Sequence, residues 1–162
     1  MAVGGLSVFC ALAAFVACSM NGIAARPSAT PSSQGVTQHV WQLTLKLTGG
    51  FTGMDRQLEL ASTGELKVTD RRRETEVSTK ASATELAQIA SMVANLKSLD
   101  AARESTCRDC VQYGLSIRLN GRSLLLNLDD LSLVGNPAEP LTNALTRVLS
   151  RELTRERNTR GK

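Results

Sequence analysis

The chain has 162 residues with 3% aromatics, four cysteines, one histidine and a formal net charge of +4, enough length for one domain of ordinary size. The excess charge is peripheral: residues 38–150 carry 13 Lys or Arg against 13 Asp or Glu, while "RELTRERNTRGK" at the end carries five basic residues and two acidic ones. A nucleic-acid binder concentrates positive charge on its fold and interleaves aromatics for base stacking, so this composition argues against nucleic acid as a partner.

The opening "MAVGGLSVFCALAAFVACSM" is a long apolar run with no charge before Arg26. Such a run at the start, followed by small residues, reads as a secretory signal over residues 1–25. "FVAC" resembles a bacterial lipobox, with Phe15 where Leu is usual. That resemblance implies a diacylglyceryl thioether on Cys18 and a lipid-anchored protein of the cell envelope. Cleavage after "IAA", leaving Arg26 first and a soluble secreted or periplasmic protein, is one alternative, and a retained anchor is another. Residues 26–37, rich in Ser, Thr and Pro, cannot bury enough apolar surface to order themselves and read as a flexible linker.

The folded domain is expected over residues 38–153. "HVWQLTLKLT" alternates, with Trp41, Leu43, Leu45 and Leu47 facing one way, which is the pattern of a half-buried strand. After the glycine loop "GGFTG" come "RQLELA", a turn at "STG", and "ELKVT". A fourth strand, "TEVST", follows the basic cluster Arg71–Arg73. "SATELAQIASMVANLKSL" changes to a helical period, with Leu86, Ile89, Val93 and Leu96 on one face. Ser82 and Glu85 have capping-box spacing at its start. Asn120-Gly121 then marks a two-residue hairpin that pairs Leu119 with Arg122, Ile117 with Leu124, Leu115 with Leu126 and Tyr113 with Leu128. Pro140 opens a closing helix with Leu141, Ala144, Leu145, Val148 and Leu149 on its stripe, and residues 154–162 read as a solvated, frayed basic tail. The fold class that follows is α+β, an antiparallel sheet of about six strands packed against two α-helices.

Cys107-Arg108-Asp109-Cys110 is the most conspicuous motif. A thioredoxin-like site starts a helix, whereas this pair leads into a strand. A closed zinc site needs four ligands, and the chain offers one histidine, His39. In an exported protein a structural disulfide is the expected state, with free thiols, a redox site and a metal site as alternatives. Asp129-Asp130 ends a strand and suits turn or helix capping better than acid–base work. Neither G-x-S-x-G nor H-E-x-x-H occurs. The expectation is a non-enzymatic domain with no cofactor.

Phe51 is the only phenylalanine beyond residue 25, and it sits among Gly49, Gly50 and Gly53. Two readings are open: a hairpin loop in which Phe51 folds back on the sheet edge, or an exposed aromatic anchor for a partner. The alternating first strand running into Gly49-Gly50-Phe51, Gly53 two residues on, a strand near Asp109 and Tyr113 and a closing helix near Pro140-Leu141 together resemble the emfourin family. These are small protein inhibitors of thermolysin-like zinc metalloproteases, and the likeness covers about residues 40–152. It implies that Phe51 and Met54 occupy an apolar subsite of the protease while the neighbouring backbone blocks the zinc-bound water. The export signal and the Cys107/Cys110 pair depart from the family pattern. The rival expectation is an envelope lipoprotein with a structural or other protein-binding role and no inhibitory activity.

Overall fold

Alternation of large apolar and polar side chains makes β1 (Trp41–Gly49) a strand with one dry face. Trp41, Leu43, Leu45 and Leu47 are buried, while Gln42 and Lys46 are exposed. The computed structural model describes residues 40–96 and 107–161. The signal, Cys18, the linker and His39 lie outside the described residues.

Five further strands complete the sheet: β2 (Met54–Ala61), β3 (Glu65–Asp70), β4 (Thr75–Lys80), β5 (Val111–Leu119) and β6 (Arg122–Asp129). Their order is β4-β3-β2-β1-β5-β6, and every neighbouring pair is antiparallel. The β5–β6 register matches the one expected from Asn120-Gly121 at all four stated pairs. Asn120 and Gly121 both adopt positive φ, +49° and +79°, as this turn requires. The sheet's dry face continues through Leu58, Leu60, Leu66, Val68, Leu115, Ile117, Leu126 and Leu128.

The helices cover that face. α1 (Ala83–Asn95) contributes Ile89 and Val93, and α3 (Glu139–Arg160) contributes Leu141, Leu145, Val148, Leu149 and Leu153. α3 lies over β2, β3 and β4 and packs against α1. Each buried leucine or valine contributes roughly 1.5–3 kcal/mol. A one-turn α2 (Asp130–Leu133) follows β6 and adds a third, short helix to the two expected from periodicity.

Two local expectations change. The Ser82 hydroxyl does accept the Glu85 N–H at 3.3 Å, but the Glu85 carboxylate turns to Arg151 of α3, at 2.7 and 3.1 Å. Glu85 therefore joins two helices, while Ser82 caps one. The closing helix also continues through the residues read as a frayed tail. It runs to Arg160, solvated on almost every side beyond Leu153 and supported by a Glu156–Arg160 ion pair one turn apart at 2.5 Å. Charge pairing sustains helix there after the apolar stripe has ended.

A hairpin tip that displays Phe51

The β1–β2 connection, the Arg71–Arg73 turn, the Cys107–Cys110 segment and α2 all lie at one end of the sheet, a placement fixed by strand order and direction. Gly49 pairs with Met54 and closes the hairpin, leaving Gly50, Phe51, Thr52 and Gly53 as its loop. Gly49, Gly50 and Gly53 have φ of +83°, +68° and +60°, a region that L side chains enter at a cost. At Gly49 space matters too: a Cβ there would lie 2.9 Å from the carbonyl oxygen of Cys110.

Three hydrogen bonds hold this loop. Gly53 N–H donates to Gly50 O at 2.9 Å, Gly50 N–H donates to Cys110 O at 3.1 Å, and the Arg72 guanidinium donates to Thr52 O. The backbone on both sides of Phe51 is thereby tied to β1's neighbour and to the β3–β4 turn. The side chain itself is 97% exposed. Folding back onto the sheet edge, one of the two readings open from sequence, does not occur. Met54 behaves otherwise: it is half-buried and packs against the core. Position 54 shares the inward parity of Leu58 and Leu60, so Met54 is less displayed than Phe51.

Beside the tip, the sulfurs of Cys107 and Cys110 lie at disulfide distance with Cα atoms 5.5 Å apart. A short cross-link of this kind braces the entry into β5, whose preceding carbonyl receives Gly50. Asp129 is buried and caps α2, accepting Ser132 N–H at 2.7 Å and the Ser132 hydroxyl at 2.6 Å, while its own N–H donates to Ser132 Oγ at 2.8 Å. Asp130 accepts Val111 N–H and the Tyr113 hydroxyl, each at 2.8 Å. Burial, reinforced by that bond and the charge of Asp130, pushes the Tyr113 phenol up to about 12. Asp129 thus caps a helix, as expected, while Asp130 bridges to the start of β5, a role the sequence reading did not include.

The sequence reading missed the tethers. Arg72 was visible only as part of a basic cluster, and no local signal links position 72 to position 52. It also missed that α2 leaves Leu131 and Val134 exposed at the same end as Phe51. A concavity of about 640 Å³ lies away from the tip on the open polar face of the sheet, among Gln42, Thr44, Glu59, Lys67, Ser116 and Arg118. Its lining has neither histidine nor cysteine.

No protein-family model matches this chain, and no curated protein sequence matches it.

Proposed function

We propose that the domain is a non-enzymatic inhibitor that inserts Phe51 into the apolar subsite of a thermolysin-like metalloprotease, in the manner of the emfourins. The observation that carries this reading is the 97% exposure of Phe51 on a loop held by Cys110 and Arg72. A rigidly presented aromatic fills a pocket with little further loss of conformational freedom, which is why such residues dominate binding energy at many interfaces. The loop backbone then obstructs the cleft without reaction, since the tip offers no nucleophile.

The chain is placed at the cell envelope in this proposal, anchored by lipid on Cys18 with residues 26–37 as the tether. A single acyl chain holds a protein marginally, and several hold it firmly. Cys18→Ser is expected to move the protein from the membrane fraction to the soluble fraction; an unchanged distribution contradicts lipidation.

Titrating the purified protein against a thermolysin-like protease, with peptide hydrolysis as the readout, tests the inhibitory role. Stoichiometric loss of activity is expected. One observation favours the alternative of an envelope binding protein without inhibition: Leu131 and Val134 extend exposed apolar surface beyond the hairpin tip, which suits a broader partner surface than a cleft. Undiminished hydrolysis at excess protein selects that reading.

A further inference from the structure

Next to the tether sits a group of side chains that partner binding does not use. The sulfurs of Cys107 and Cys110 and a carboxylate oxygen of Asp129 all lie within 4.8 Å of one another. The cysteines immediately precede β5 and the aspartate ends β6, two strands paired so that Gln112 faces Asp129. The pairing of β5 with β6 therefore brings the segment before β5 alongside the end of β6.

We infer that, once the Cys107–Cys110 bond is reduced, these three residues form a binding site for Zn²⁺ or a similar thiophilic divalent cation. The inference is independent of the inhibitory reading and concerns a different set of atoms.

Spacing, reach, outer-shell contacts and burial support it. The C-x-x-C spacing places two thiolates on one ion, as in structural zinc sites. Opening the sulfur–sulfur bond lets the sulfurs separate to about 3.8 Å, the spacing of two ligands on tetrahedral zinc with bonds of about 2.3 Å. The carboxylate needs no large movement, since it is already within reach of both sulfurs. Ser132 supplies an outer shell as well. Its N–H and hydroxyl both donate to Asp129 Oδ1, orienting the carboxylate as partner groups orient metal ligands elsewhere. Cys107 and Cys110 are half-buried and Asp129 is buried, so the ion sits in a partly dehydrated setting with a fourth position for water.

The chemistry balances with an external thiol as reductant. Two equivalents of thiol reduce the Cys107–Cys110 bond to two cysteine thiols and leave as one disulfide. Zn²⁺ then displaces two protons as the thiolates form, which makes binding weaken as pH falls. The oxidised chain has no thiolate pair to offer and binds no zinc at this place.

The test uses the full chain carrying Cys10→Ser and Cys18→Ser, so that only the pair can supply thiolates. After reduction with a phosphine, Zn²⁺ is titrated against a chromophoric chelator, and Co²⁺ is added separately to read coordination by its visible spectrum. The reduced chain is expected to bind one ion, with thiolate-to-cobalt charge transfer and four-coordinate d–d bands, while the oxidised chain binds none. Cys107→Ser and Cys110→Ser should each lose at least 100-fold in affinity, and Asp129→Asn at least 10-fold. Asparagine and serine both cap helices, so Asp129→Asn and Asp129→Ser together separate ligation from folding, with melting of the oxidised variants as the check. Absence of zinc binding by the reduced chain overturns the inference, as does unchanged affinity in both folded Asp129 variants.

Discussion

Gly50 donates its backbone N–H to the carbonyl oxygen of Cys110 at 3.1 Å, joining the Phe51 loop to the disulfide segment sixty residues away in sequence. The neighbouring Gly49 approaches the same oxygen so closely that a Cβ would lie 2.9 Å from it. The direction in which Phe51 points therefore depends on a contact between two remote segments.

Gly49→Ala should accordingly be costly. It adds a left-handed backbone penalty at φ +83° and a collision with main chain that has no rotamer to yield. A loss of at least about 1 kcal/mol is expected in denaturant unfolding. Gly121→Ala is the control, because φ is similar at +79° but nothing lies within 4 Å. Equal losses in the two variants would show that backbone strain alone matters and that the approach to Cys110 does not.

Cys107 and Cys110 should resist thiol labelling in the purified protein and react after reduction. By chain-entropy reasoning so short a loop contributes about 2 kcal/mol at most. Replacing both with serine should thus lower stability modestly and leave a folded domain. Complete labelling without reductant would contradict the cross-link.

The Glu85–Arg151 pair between α1 and α3 predicts an acid-side effect. The hydrogen bond from Arg151 holds the Glu85 carboxyl below the usual value near 4.5. A group depressed in the fold stabilises it above the unfolded value and loses that contribution as pH falls through the folded value. Both side chains are partly solvated, so Glu85→Gln should cost only about 0.5–1 kcal/mol at pH 7. That gap should narrow as pH falls below the unfolded value near 4.5 and through the lower folded value. A constant difference across this range would show that the charge is not what Glu85 contributes.

Tyr113 gives a clean titration, since it is the chain's one tyrosine. Its phenol, raised to about 12 chiefly by burial and then by Asp130, favours the protonated fold. That stabilisation is complete below about pH 10 and is lost as pH rises through the folded value. Ultraviolet absorbance should show ionisation near pH 12 while the protein remains folded, and Asp130→Asn should move it downward. Ionisation near pH 10 in the folded protein would show that neither burial nor the Tyr113–Asp130 bond acts on the phenol as described.

Local patterns made most of the sheet legible. Alternation in β1 marked its inward residues, and Asn120-Gly121 set the β5–β6 register because a two-residue turn leaves one pairing that keeps both apolar faces together. The end of α3 was not legible in the same way. Its apolar stripe stops at Leu153, and what continues it is the Glu156–Arg160 pairing, a weaker signal in a sequence rich in arginine. The glycines announced an unusual loop, yet they left the direction of Phe51 open. That direction rests on Cys110 and Arg72, which periodicity cannot connect to position 51. Met54, which the resemblance places beside Phe51 in a partner's subsite, is half-buried because it shares the inward parity of Leu58 and Leu60 on β2.

Phe51→Ala, measured for both melting and inhibition of a thermolysin-like metalloprotease, tests the central claim most directly. A core phenylalanine cut to alanine costs about 3–5 kcal/mol of stability, whereas an exposed anchor costs little stability and often more than about 2 kcal/mol of binding. With Phe51 97% exposed, the account predicts unchanged melting and inhibition weakened at least about 30-fold, the equivalent of 2 kcal/mol. Unchanged melting with undiminished inhibition, or a parent protein that does not inhibit at all, would contradict it.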